Sequence, residues 1–344
     1  MGESVKLKIK KSFDFFINVF SIFMLLLFSL FAVCCGTKFI PPFLVFSQDC
    51  PAVDFAIITK IRFPRILLSV LCGALLGGTG AMFQGFFRNP LADSSIIGIS
   101  SGATFGAVIA GFLPFSALSF LNKSLALPSV SAGAFLGSLI AALCVFAFSK
   151  MAAENSSVVL LFSGTASGTF FSALASMLLL VREKELHSVF AWTLGSFNGK
   201  GWNEFFVFAI PSVIALVLIS FSYRHLDVLV CGEMSAKAFG LNYSFVRNYV
   251  LIAGSLATSC AVCEGGIISF VGLIAPHFVR KVYGPRHKVL IFQSMIYGAV
   301  LLVIADTIAR TVIAPSEIPV GIITSLIGVP FFLFSLTKMN GAKS

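Results

Sequence analysis

Apolar residues in this chain come in long unbroken runs parted by short polar stretches, and they do not alternate at every second position. A helix needs about 20 predominantly apolar residues to cross a bilayer. Ten runs approach that length, at about 13–35, 64–86, 95–114, 128–149, 157–181, 204–223, 244–263, 266–279, 289–309 and 319–337. Continuous runs predict helices, because the strands of a membrane barrel alternate apolar and polar positions. The eighth run is short, which predicts a tilted, broken or buried helix. The expected fold is an all-α integral membrane protein with about ten transmembrane helices, forming one domain over residues 1–344.

One polar island, Arg224 to Asn242 (RHLDVLVCGEMSAKAFGLN), interrupts the pattern. It predicts two short helices, 225–231 ended by Gly232 and 233–239 ended by Gly240, since glycine just past the last turn is the usual helix stop. Leu226, Val228, Leu229, Met234 and Phe239 supply an apolar face. So compact a mixed-charge segment in so apolar a chain points to a partner met in water.

Composition supports the membrane reading: 58% of the 344 residues are hydrophobic and only 11% charged, against about 25% charged in soluble domains. Basic residues favour the cytoplasmic side of short loops. With the N-terminus inside and ten spans, 15 of the 24 Lys and Arg fall inside. Both termini and the island are therefore expected in the cytoplasm, and the net charge of +10 orients the chain without implying nucleic acid. Lys6, Lys8, Lys10 and Lys11 precede a first apolar run longer than the core of a signal peptide, so an uncleaved first span is expected.

Catalytic and metal chemistry find little support. Cys34, Cys72, Cys144, Cys260 and Cys263 lie in apolar runs, where cysteine acts as a small hydrophobe. Cys260-x-x-Cys263 has no second pair or nearby histidine, and the four histidines show no metal-ligand spacing. Pro276 and His277 read as the end of the eighth span. No metal and no cofactor bound by this chain is expected. There is no G-x-x-x-x-G-K-[ST] phosphate loop and no nucleophile–base pair, so energy must come from a partner or an ion gradient. An ion-coupled secondary transporter, the alternative, needs carboxylates in mid-span. Asp306 is the only candidate read from the sequence.

The island's Gly232-Glu233-x-x-Ala236-x-x-x-Gly240-Leu241 resembles the coupling loop of type II ABC importer permeases, which carry iron-siderophores, haem and cobalamin. Further segments are similar in order and spacing over about residues 60–337: Arg62-Phe63-Pro64-Arg65; Gln84 to Ala92 (QGFFRNPLA); Gly98 to Ala103 (GISSGA); Gly266 to His277 (GIISFVGLIAPH) with Arg280; Asp306, Arg310, Glu317 to Gly321 (EIPVG); and Gly328-x-Pro330. One departure is Ser94, where the family often has proline.

The resemblance implies a ten-span subunit that forms a homodimer around one translocation path in the bacterial cytoplasmic membrane. Two separate ATPase subunits, which bind the ATP and magnesium, would dock below. A periplasmic or lipid-anchored substrate-binding protein would dock above. By the same resemblance, Glu233, Ala236, Gly240 and Leu241 belong to the ATPase-coupling loop, and Arg62, Arg65 and Arg310 to the binding-protein docking face. Asn89, Leu91 and Ser157 belong to the cytoplasmic gate.

Overall fold

The computed structural model describes residues 2–41, 43–44, 50–112, 129–151, 157–181 and 189–341. Its elements in chain order are α1 (Gly2–Cys34), α2 (Ala52–Ala56), a π-helical stretch (Ile57–Arg62), α3 (Phe63–Phe86), a short 3₁₀ turn (Ser94–Ile97), α4 (Ile99–Phe112), α5 (Ser129–Met151) and α6 (Ser157–Val181). There follow α7 (Trp202–Phe221), α8 (Tyr223–Leu229), α9 (Glu233–Ala238), α10 (Tyr243–Gly265), α11 (Val271–Tyr283), α12 (His287–Ala309) and α13 (Val320–Gly341). Seven helical stretches among the described residues are long and apolar enough to cross a membrane, and Ile99–Phe112 and Val320–Phe334 are shorter apolar helices.

The first helix begins at Gly2, well before the expected run, and three other boundaries differ for visible reasons. The second span is the end of a continuous 35-residue helical stretch, Ala52–Phe86. The sixth runs on through Ser222 into α8, because Leu226 and Leu229, both fully buried, carry its inward face past the first polar residues. The eighth starts late and ends late: Gly266 and Phe270 both adopt positive φ (73° and 68°), so residues 266–270 form a bent loop and the helix begins only at Val271. Nor does Pro276 end that helix, which continues to Tyr283.

Helix α3 is the hub. The most apolar 18 residues of the Ala52–Phe86 stretch are 78% buried, whereas those of the Phe16–Cys34 span are only 11% buried. Two close seams organise the bundle. Gly73 and Gly77 of α3 face Gly298 and Ser294 of the antiparallel α12, where a Cβ on Gly77 would lie 2.1 Å from the Ser294 carbonyl oxygen. Gly102 and Gly106 of α4 meet Gly137 and Gly133 of α5 in the same way. Water drives no association between helices within lipid, so close backbone approach and dispersion must supply it. The tightest approach is Gly80, whose added Cβ would sit 1.9 Å from the Gly272 carbonyl oxygen of α11. A Gly80→Val variant is expected to lose at least about 1–3 kcal/mol to overpacking, read as a lower melting midpoint in detergent. Wild-type melting and elution would show that the seam yields.

At about 1.5 Å per residue, α3 separates its two ends by roughly 35 Å, close to a bilayer's thickness. One end carries the polar island and the other carries Arg62, Arg65 and Arg310.

Candidate functional site

The island folds as a helical knob. Gly232 and Gly240 adopt φ of +97° and +82°; α9 stops just before Gly240 much as the sequence predicted, whereas α8 runs from Tyr223 only to Leu229, two residues short of the expected end at 231. The second stop is a Schellman turn: the Leu241 N–H donates to the Ala236 carbonyl at 3.0 Å, closing the last turn of α9 over the left-handed Gly240. Asn242 then caps α10, its Oδ1 accepting from the Phe245 N–H at 3.1 Å. Leu226, Leu229 and Ala236 are buried and root the knob, whereas Val230, Met234 and Phe239 are 63%, 89% and 75% exposed. Of the apolar face expected from sequence, part is therefore root and part is crest. Glu233 is the first residue of α9.

Beside the knob, α3 ends in the segment 84–92. The Asn89 side chain accepts from the Leu91 N–H at 2.9 Å, folding a tight turn that leaves Leu91 39% exposed. Asp93 caps the following 3₁₀ turn by accepting from the Ser94 N–H at 2.7 Å. Proline at position 94 has no N–H for this bond, so the departure from the family pattern has a local use. Burial raises the Asp93 pKa, and the bond from Ser94 partly offsets that shift. Gly98, just beyond, packs against the backbone of Gly164 and Gly168 in α6, the helix that begins at Ser157. The structure thus brings Asn89 and Leu91 into one turn and sets Ser157 on the helix that buttresses the next.

Gln84 has a role that the sequence alone did not reveal. Pro276 lacks the N–H that would bond the Gly272 carbonyl four residues back, and the Gln84 Nε2 donates to that carbonyl instead, at 3.3 Å. Arg280 donates to the Gln84 Oε1 at 3.0 Å. Fully enclosed, Gln84 therefore repairs the proline gap in α11 and fixes it to α3.

At the opposite end, Arg62, Arg65 and Arg310 converge. Their residues are only 4%, 6% and 4% exposed. Arg62 donates to the Val33 and Cys34 carbonyls at 2.8 Å and to the Lys38 carbonyl, and Arg310 donates to the Ala32 carbonyl. Together they cap the carbonyl end of α1, where cations suit the helix dipole. Arg65 grips Asp306 through Nε and Nη2 at 2.8–3.1 Å and Glu317 through Nη1 at 3.0 Å. Arg310 approaches Asp306 at 3.8 Å, one helical turn away. The more accessible cations of this end are Lys38 and Lys60.

Another buried carboxylate, not legible in the sequence, is Glu264 in the last turn of α10. It is fully enclosed and accepts from the Ser212 hydroxyl. Lys200 donates to the Cys263 carbonyl at 2.8 Å and to the Glu264 carbonyl, capping α10. Burial lowers the Lys200 pKa. Past Gly265, the loop carrying Ile267 and Ser269 lines an open groove of about 550 Å³ with Thr193, Ser325 and Leu326.

Comparison with known proteins agrees with this architecture. Residues 24–338 match the FecCD transport family. The cobalamin import system permease protein BtuC of Halobacterium salinarum is 41% identical over 83% of this chain and 74% of its own length. The Fe(3+) dicitrate transport system permease protein FecD of Escherichia coli is 33% identical over 83% of this chain and 86% of its own. A solved structure of an inward-facing ABC transporter, described as of metal-chelate type, superposes with a TM-score of 0.79 at 29% identity, covering 94% of this chain and 99% of that one. With a match that takes in both the knob and the arginine end, the chain belongs to the FecCD transport family of multi-pass ABC transporter permeases.

Proposed function

We propose that this permease imports an iron chelate, a ferric siderophore or haem, or else cobalamin, across the bacterial cytoplasmic membrane. Two copies form one path, and two separate ATPase subunits hydrolyse ATP–Mg and drive it through the knob. The observation that carries this reading is the knob itself: a short two-helix unit rooted by buried Leu226, Leu229 and Ala236, with Met234 and Phe239 bare at its crest. An exposed apolar crest at a water-facing end fits the cleft of another protein. A rooted knob also transmits the partner's movement, which a loose loop absorbs. Glu233, Ala236, Gly240 and Leu241 are the coupling residues in this reading, and Asn89, Leu91 and Ser157 belong to the gate above them. The groove beside α13, apolar with a few hydroxyls, is the wall of the path. The ion-coupled alternative loses its sequence candidate, because Asp306 is locked by Arg65.

The face at the arginine end is where we place the binding protein. Arg62, Arg65 and Arg310 serve it chiefly by holding α1, Asp306 and Glu317 in place, with Lys38 and Lys60 nearer the surface. Charge reversal at Arg62 and Arg65 together is expected to abolish capture of the binding protein at low salt. Unchanged capture removes these residues from the docking face.

The whole reading is tested by reconstituting the permease with its co-purified ATPase and binding protein in proteoliposomes. Uptake of labelled ferric siderophore, haem and cobalamin is then followed with and without ATP. One of the three is expected to enter only with ATP. Uptake driven by a proton or sodium gradient without ATP would overturn the proposal.

A further inference from the structure

Between the knob and the membrane helices sits a histidine that the coupling reading does not use. His287 is the first residue of α12 and only 6% exposed. Its Nδ1 lies 2.8 Å from Oδ1 of Asp227, in the middle of α8. An ionised carboxylate only accepts hydrogen bonds, so Nδ1 carries the proton and donates. The other edge of the ring lies over Gly85 in the last turn of α3, where an added Cβ would be 2.8 Å from Nε2 and 3.0 Å from Cδ2. Leu226 of α8 closes on the same glycine, 3.2 Å from that Cβ position. One imidazole therefore touches the knob, the start of α12 and the end of α3.

What lies beyond Gly85 gives this contact a consequence. Gln84 ties α3 to α11, and Phe86 stacks on Tyr243 at the start of α10 with ring centroids 5.9 Å apart. Four residues after Gly85, Asn89 begins the turn that presents Leu91. A shift of α8 pushes the ring against a glycine with no side chain to yield, and α3 must follow.

We propose that His287, held by Asp227, is a positioning residue that relays movement of the knob to the gate turn 89–91. This rests on the reading of the knob as the ATPase-coupling element. It assigns the transmission to one hydrogen bond and one ring-to-backbone contact.

The test uses the permease–ATPase–binding-protein complex in proteoliposomes, with cargo imported per ATP hydrolysed and ATPase retained per permease as its two readouts. Asp227→Ala, which removes the acceptor, and His287→Ala are expected to retain the ATPase subunit and to lower cargo per ATP about fivefold, within the range by which residues on a coupling network act. His287→Asn, whose amide can donate from nearly the Nδ1 position, is expected to recover at least half of the loss. Glu233→Arg, within the knob itself, is expected to release the ATPase. Wild-type cargo per ATP in Asp227→Ala overturns the relay, and so does loss of the ATPase from Asp227→Ala and His287→Ala alike, which would mark a merely structural role. Should Glu233→Arg keep its ATPase and its uptake, the knob reading falls and the relay with it. Asp227, with its side chain half exposed, keeps the test open even where His287→Ala fails to fold.

Discussion

A Gly240→Pro permease is expected to reach the membrane in normal amount and to import at less than about a tenth of the wild-type rate. Proline fixes φ near −65°, whereas Gly240 sits at +82°. No atom lies within 4 Å of a Cβ built at this position, so the penalty comes from the backbone and not from crowding. The Schellman bond between Leu241 and Ala236 cannot close over a residue held in the wrong half of φ space, and the mounting of α9 goes with it. The damage stays local, because Leu226 and Leu229 root the knob from α8, ahead of the break. Graded controls sharpen the expectation. Gly240→Asn, which tolerates the left-handed region, should retain most activity, and Gly240→Ala should lose about 1 kcal/mol of local stability. Uptake per inserted permease checks all three. A proline variant that imports normally would show that the knob's shape does not matter.

The second large effect is expected at Arg65. Replacing it by alanine removes the bidentate grip on Asp306 and the pair to Glu317, leaving Asp306 buried at 2% exposure with Arg310, at 3.8 Å, as its remaining cationic partner among the described residues. Breaking a buried pair from one side costs about 3–5 kcal/mol, because the orphaned charge stays desolvated. The melting midpoint of the detergent-solubilised permease should fall accordingly. Adding Asp306→Asn should restore much of it, since an amide brings no unpaired charge. An Arg65→Ala chain that melts like wild type but no longer captures the binding protein would assign this arginine to docking alone. A chain that melts early would show the docking face to be built on this buried clamp.

These two sites also show what the sequence could disclose. The helices were legible because lipid offers no partner to a backbone amide, so each span must be long, apolar and helical. Gly232 and Gly240 were legible because positive φ strongly selects glycine. The start of α11 was not: Phe270 takes a left-handed conformation inside an apolar run, and hydropathy is blind to that. Nor were the partners of charged residues. Arg65 and Asp306 are 241 positions apart, and His287 and Asp227 are 60 apart. Glu264 is hidden in the sequence because it closes an apolar run beside two glycines, where a carboxylate reads as the start of a loop. Gln84 is legible only as part of a pattern, because its reason lies in the Gly272 carbonyl, which Pro276 leaves without its helical donor.

The glycine seam between α3 and α12 has a mechanical consequence. Where Gly73 and Gly77 meet Gly298 and Ser294, main chain rests on main chain, and no change of rotamer can soften such a contact. The two antiparallel helices therefore behave as a single stiff beam, with His287 and Gly85 at one tip and Asp306 and Arg65 at the other. A beam of this kind stores little strain along its length. In the coupling reading, a nudge delivered beneath one tip is expected to arrive at the far tip as a tilt.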